Sequence, residues 1–471
     1  MMTKERAWRL SRYTSVIRDS ETGDILLHNS FMGAVARISA DQSKSIEMFL
    51  QRSSADDIHG PSQYRFPYFE GLFQREVKES DLSNLSLKEL CEGGFFVPSD
   101  VEEREIVSEI LDHERDKSGF QVIILPHENC NFRCVYCYET FVRGKMKPEV
   151  VTGLKAFVDR KVKECNSLAI SWFGGEPLLA KDVIYELSDF FIASCITNNI
   201  PYASGMTTNG YFLTPDVVTL LLQRKINHFQ VTLDGPEATH NNTRKLAGGG
   251  ETYQKILNNL MAMGHRDEEF SVRIRVNFNN AVISSMEQFL SEIAPMFKND
   301  IRFNLDFHPI GKWGGPNDSA FDICDEELAR QSRLNLIKRT LTVGFSDQLV
   351  KDSLISHGTV CYAGKESSIV VGSDGTVYKC TVAFEDPRNQ VGKLTKDGQL
   401  VIDQARWNLW VKFDDKNASK CTSCSFSPSC QSRSCPLAAI NQKEPPCPFT
   451  KTEYESMVKL VAIRRAAPIT H

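Results

Sequence analysis

Six strand-like segments alternate with helix-like ones between residues 120 and 310, and this rhythm limits the possible fold more than any other feature. The segments are FQVIILP (120–126), SLAISWF (167–173), YASGMTT (202–208), HFQVTLD (228–234), FSVRIRV (270–276) and IRFNLDF (301–307). Stretches such as TPDVVTLLLQRK separate them, with Thr214 placed to cap a helix and Pro215 as its first residue. Strands joined through helices run parallel, so the expected class is α/β, an open sheet or a barrel. In either, a site forms at the C-terminal ends of the strands. Four short motifs fall there: CNFRCVYCYE, GGEP, TNG and DGP, after the first four segments in turn.

The chain of 471 residues is long enough for about two to four domains. A net charge of −5 supplies no general basic field, so no nucleic-acid partner is expected. The polar start MMTKERAWRLSRYTS is not a signal peptide, and no apolar run has membrane-spanning length. The expected location is therefore cytoplasmic and off the membrane, where thiols stay reduced. That makes the 14 cysteines informative, because three crowd into 130–137 and seven lie between 361 and 447. Such clusters read as metal sites before disulfides.

Cys130, Cys134 and Cys137 offer three thiols where a closed zinc site takes four. A four-iron cluster also takes four ligands, so three leave one iron open to a small molecule. Gly174 and Gly175 let backbone approach a ligand closely, and Glu176 adds a carboxylate suited to an ammonium group. The implied ligand is an amino acid that chelates iron through its own amine and carboxylate. Three unrelated structural thiols, or a zinc site with a distant fourth ligand, are the alternatives.

The C-x3-C-x2-C spacing with Tyr136 before the last cysteine, followed by GGEP, TNG and DGP, resembles the radical S-adenosylmethionine superfamily. The resemblance implies a partial (β/α)6 TIM-like barrel over residues 118–325. It implies that Cys130, Cys134 and Cys137 carry a catalytic [4Fe-4S] cluster that splits S-adenosylmethionine into methionine and a 5′-deoxyadenosyl radical. It places Gly174, Gly175 and Glu176 at the methionine moiety, Thr232 at the ribose or carboxylate, and Tyr136, Asn209 and Arg244 among the cofactor contacts. A flavodoxin- or ferredoxin-type reductant would supply the electron.

Cys361, GSDGTVYKC with Cys380, CTSCSFSPSCQSRSC and the final Cys447 resemble the cysteine-rich SPASM extension, here at 345–455. That family holds two auxiliary [4Fe-4S] clusters, giving three in all. Carried over, Cys361, Cys380 and Cys435 serve one, and Cys421, Cys424, Cys430 and Cys447 the other. The interval between Cys430 and Cys435 is one residue longer than usual. With only three cysteines, the first auxiliary cluster would have an open iron able to bind a substrate thiolate. A zinc ribbon is the alternative. Residues 1–105, with strands around a turn at Thr22-Gly23-Asp24 and helical stretches near 41–52 and 85–94, resemble the winged-helix-like leader-recognition element of peptide maturases. Such elements take a precursor peptide by strand addition at a sheet edge.

Together these point to an enzyme that cross-links a ribosomally made peptide, with a cysteine thioether foremost. Formylglycine formation on a sulfatase and carbon–carbon cross-linking are the alternatives; Thr381, where sulfatase maturases carry an Asp after the cysteine, counts against the first. On the inner face expected for SVRIRVNFNN lie Arg273, Arg275, Asn277 and Asn279, and on that of RFNLDFHP lie Arg302, Asn304, Asp306 and His308. Asp306 and His308 are candidate proton acceptors. Cys91, Cys165, Cys195 and Cys324 read as core thiols. Anaerobically purified protein should be brown and carry about 12 iron atoms, as three four-iron clusters require; colourless protein with stoichiometric zinc would instead mark a zinc-bearing binding protein.

Overall fold

The computed structural model describes residues 6–41, 58–60, 85–117, 119–313, 318–412 and 419–466. The chain divides into two compact units. One gathers residues 1–116, 347–361 and 413–471; the other gathers 117–346 and 362–412. The segment 345–455 is thus shared between them.

The first unit contains two small antiparallel sheets. β1 (Arg6–Leu10) lies between β5 (Ile58–Gly60) and β6 (Phe96–Pro98). β2 (Thr14–Arg18), β3 (Ile25–Asn29) and β4 (Ala34–Ile38) form a meander whose first turn is Thr22-Gly23-Asp24, as the sequence implies. Leu27, Ile38, Leu90, Phe96 and Val97 form its core. The expected helix near 41–52 lies almost wholly outside the described residues, whereas Leu85–Glu92 is helical. The C-terminal helix Lys451–Ala466 packs on β3 and β4, so distant ends of the chain share one core.

Buried polar groups pin this core. Asn29 donates to Gly94 O (2.6 Å), Ser11 Oγ and Thr14 Oγ1, and its Oδ1 accepts from the N–H groups of Phe31 and Met32. His28 lies 2.6 Å from the Tyr454 hydroxyl through Nδ1 and 3.0 Å from Leu354 O through Nε2. A carbonyl only accepts, so Nε2 carries the proton and Tyr454 donates to Nδ1.

In the second unit, β7 (Phe120–His127), β9 (Leu168–Gly174), β10 (Tyr202–Thr208), β11 (Ile226–Thr232), β13 (Ser271–Phe278) and β14 (Phe303–Pro309) run parallel as successive neighbours. They are the six expected strands, and the partial barrel is mixed α/β as read from the sequence. β8 (Phe132–Cys134) and β12 (Arg244–Leu246) form a separate antiparallel ribbon. On the free side of β7 the sheet continues through β15 (Ser368–Val371), parallel to it, then antiparallel β16 (Thr376–Tyr378), β17 (Gln390–Leu394) and β18 (Leu400–Ile402). β15 and β16 form a hairpin that turns within GSDGTVYKC.

Alternation along each strand separates a dry face from a polar one. Val272, Ile274, Val276 and Phe278 are buried, while Arg273, Arg275 and Asn277 line a cavity inside the barrel. Thr214 caps Pro215–Gln223 by backbone geometry alone, with no side-chain hydrogen bond. Among the described residues no helix is long and apolar enough to cross a membrane.

Burial holds His28 neutral and lowers its pKa from 6.5 to about 4. As pH falls through that window the unfolded chain takes up a proton that the folded chain refuses, so stability drops. The expected loss between pH 7 and pH 5 is about 2 kcal/mol. His28→Gln, which keeps a donor and an acceptor but does not titrate, should lack this component when thermal melts at the two pH values are compared.

Candidate functional site

The three thiols of the 130–137 loop open into one cavity of about 580 Å3 at the C-terminal ends of the barrel strands. Backbone pairing seats the loop. The N–H of Gly175 donates to His127 O and that of Glu176 to Asn129 O, both at 3.1 Å. Cys134 lies opposite Arg244 in the β8–β12 ribbon, and Val135 N–H donates to Thr243 O.

The glycines of GGEP serve this seating. A Cβ on Gly175 would stand 2.5 Å from Asn129 O, and one on Gly174, whose φ is +119°, 2.5 Å from His127 O. The close backbone approach is thus to the cysteine loop itself, although both glycines also line the cavity. Glu176 is fully buried behind them. Its Oε1 accepts from Leu178 N–H and the Thr208 hydroxyl, its Oε2 from Asn209 N–H. Burial raises its carboxyl, against the pull of those donors. In this structure Glu176 ties the end of β9 to the end of β10 and does not line the cavity.

Asn209 carries that tie onward, its amide donating to Asn131 Oδ1 at 2.8 Å and lying 3.7 Å from Cys130 Sγ. Tyr136 meets a second network. Its hydroxyl donates to Asp234 Oδ2 and accepts from Arg244 Nη1 (2.8 Å) and Asn277 Nδ2 (3.1 Å). Asp234 Oδ1 accepts from Asn277 N–H. His240 Nδ1 accepts from Asp234 N–H, which leaves its Nε2–H facing Thr252 Oγ1, and Thr252 donates to Arg244 O. Burial, and then Arg244, hold His240 neutral.

Tyr136, Gly174, Gly175, Asn209, Thr232 and Arg244 therefore share the cavity wall with the three cysteines. Sequence reasoning gave no role to Asp234, His240 or Thr252. Only the DGP motif marked the first; His240 bonds it from six residues along the chain, and Thr252 bonds His240 in turn. Glu139 was also passed over: it lines the cavity, and burial pushes its carboxyl to about 8.

In the first unit Cys421, Cys424, Cys430 and Cys447 line a cavity of about 450 Å3, with Phe426, Phe449 and Tyr454 around them. Cys361 donates its N–H to Arg433 O, and Cys435 stands at the N-cap of Pro436–Gln442. Cys380 belongs to the second unit, where Asn389 holds it through Oδ1 to its N–H and Nδ2 to its carbonyl, both at 2.8 Å. Cys91, Cys195 and Cys324 are buried, whereas Cys165 is partly exposed.

The donor sets suit iron–sulfur chemistry. Thiolates are its ligands, and each of the two cavities gathers thiols without a competing disulfide. Among the described residues no three His, Cys, Asp or Glu close on a single point, so these are thiol-lined hollows and not preformed mononuclear sites. Burial pushes the Cys130 and Cys430 thiols up to about 12, and raises Cys134 and Cys137, so ligation has to displace protons. Arg244 lowers the cost at Cys134, and its own buried Nε has no hydrogen-bond partner, a donor available to an anionic ligand group.

Glu176→Gln keeps one acceptor oxygen but sets an amide NH2 among three donors. The expected result is a loss of about 2 kcal/mol in stability, with less iron retained after reconstitution. Melting curves and iron assays check it, and unchanged values in both would rule out the tie described.

The Radical SAM superfamily profile matches residues 124–274. A cysteine-type anaerobic sulfatase-maturating enzyme of Clostridium novyi (strain NT) is 25% identical over 343 residues, 67% of this chain and 87% of that protein. The mycofactocin maturase MftC of Mycobacterium tuberculosis (strain CDC 1551 / Oshkosh) is 23% identical over 308 residues, 64% of this chain and 74% of that one. A solved structure described as native anSMEcpe with bound AdoMet and Cp18Cys peptide superposes with a TM-score of 0.55 at 19% identity, covering 74% of this chain and 98% of that one. At that identity it speaks for the fold. The profile match takes in the cysteine loop and strands β9, β10 and β11 of the thiol-lined cavity, and on that ground residues 124–274 carry a radical SAM domain, whose family works with a [4Fe-4S] cluster and S-adenosylmethionine.

Proposed function

We propose that this protein is a radical S-adenosylmethionine enzyme that installs a cross-link, a thioether from a cysteine to a carbon, in a ribosomally made precursor peptide. The observation that carries the reading is the opening of three loop thiols into a hollow, polar barrel interior. Similarity to two maturases supports an enzyme that matures a partner molecule. The solved neighbour that holds a peptide supports a peptide as that partner.

In this reading Cys130, Cys134 and Cys137 hold the catalytic cluster. Arg244, with its spare Nε–H, faces the cofactor's carboxylate, and Tyr136 and Asp234 keep the guanidinium in place. Thr232 and Asn209 complete that wall. When bound, the cofactor supplies a 5′-deoxyadenosyl radical that takes a hydrogen atom from the substrate. The barrel's dry outer face keeps its strands fixed, and the polar inner face orients the substrate. Cys421, Cys424, Cys430 and Cys447 hold a fully ligated auxiliary cluster; Cys361, Cys380 and Cys435 are assigned to another by resemblance alone. The domain at 1–105 takes the peptide leader, and a low-potential flavodoxin- or ferredoxin-type protein delivers electrons.

Formylglycine formation is the second reading, favoured by the sulfatase-maturating relative. Against it, the residue after Cys380 is Thr381, whose hydroxyl and N–H are both engaged by the Tyr362 hydroxyl, so no carboxylate stands at that position.

Replacing Cys130, Cys134 and Cys137 together with Ala should abolish 5′-deoxyadenosine formation under reducing conditions; surviving activity would refute the assignment. With a short cysteine-containing peptide encoded beside this protein as substrate, the product should be lighter by two hydrogens and have one thiol fewer to alkylate. A mass matching an aldehyde at cysteine would select the second reading.

A further inference from the structure

The wall formed by β13 carries more positive charge than its surroundings neutralise. Arg273 and Arg275 both line the cavity. Asp306, opposite Arg275 in the β13–β14 register, stands 3.9 Å from it. Burial alone would raise the Asp306 carboxyl, but Arg275 and Arg273 outweigh that and hold it below the usual range. Asp234 is occupied by Tyr136 and Asn277. Among the described residues that line the cavity the one carboxyl is Glu139, on the cysteine loop. Arg273 has no hydrogen bond or ion pair among the described residues and is exposed to the hollow. His308 reports the same field: burial, and then Arg275, press it down to about 3.

Arg273 is not placed to serve the cofactor. In register it lies beside Gln230 and Asn304, four residues before Asn277. That is about 13 Å down the strand from Asn277, which meets Tyr136 of the cysteine loop. Arg244, paired across the ribbon with Cys134, is the nearer cation for a cofactor carboxylate. A guanidinium fork matches a carboxylate through two parallel hydrogen bonds.

We propose that Arg273, with Arg275 beside it, is a specificity subsite for an acidic side chain, so that the peptide taken into this cavity presents an Asp or Glu to β13. The proposal rests on the peptide reading above. The test uses iron-reconstituted full-length protein saturated with S-adenosylmethionine, titrated calorimetrically with N-acetyl-aspartate N-methylamide and its asparagine counterpart. Wild type should prefer the acidic probe by roughly tenfold. Arg273→Gln should lose the preference, Arg273→Lys should keep part of it, and Arg273→Glu should pass it to N-acetyl-lysine N-methylamide. Equal binding of the two probes by wild type, or a preference kept in Arg273→Gln, overturns the subsite. The same wild-type preparation is assayed for 5′-deoxyadenosine. Radical formation without the preference sinks the subsite alone; the preference without radical formation upholds the subsite and sinks the radical reading.

Discussion

The seating of the cysteine loop on the end of β9 is the constraint on which the rest depends. Two backbone hydrogen bonds join Gly175 and Glu176 to His127 and Asn129, over a gap too narrow for a Cβ. The buried Glu176 carboxylate then fixes the end of β10 relative to β9, and Asn209 passes that position to Asn131. A thiol loop on a flexible support would not hold three soft donors around one group. Here the support is backbone and buried charge, both costly to displace.

The second requirement is room. Barrels of this kind commonly fill their interior with branched apolar side chains. This one directs Gln121, Ser171, Gln230 and Arg273 inward and keeps Val122, Ile170, Val231 and Val272 outside under the helices. The apolar faces supply stability from one side of the sheet, so the inner face is free to be hollow and polar. Arg244, Tyr136 and Asp234 then form a charged strut across the mouth, linking the ribbon that carries Cys134 to the end of β11.

The other unit solves a different problem. Its cysteine-rich segment has few apolar residues, so it shares a core with the N-terminal sheet through the C-terminal helix. Polar pairs fix the docking: buried His28 with Tyr454, and Asp19 with the partly exposed Lys459 at 2.9 Å. Ser15 and Ser425 meet at 2.7 Å, which places β2 beside the loop bearing Cys421, Cys424 and Cys430.

The strand sequence, the inner and outer faces of β13 and β14, the Thr22-Gly23-Asp24 turn and the gathering of Cys130, Cys134 and Cys137 in one hollow and of Cys421, Cys424 and Cys430 in another were legible in the chain, because each depends on local spacing. Alternation by twos assigns faces, and the interval between cysteines assigns loops, with no knowledge of distant partners. The orientation of Glu176, the approach of Gly174 and Gly175 to the loop backbone, and the union of Asp234 with Tyr136 and Arg244 were decided only in the folded chain. Those depend on the register between strands far apart in sequence and on which buried donors compete for each oxygen. A one-dimensional pattern states what a residue can bond, and only packing selects which of the possible partners comes within reach.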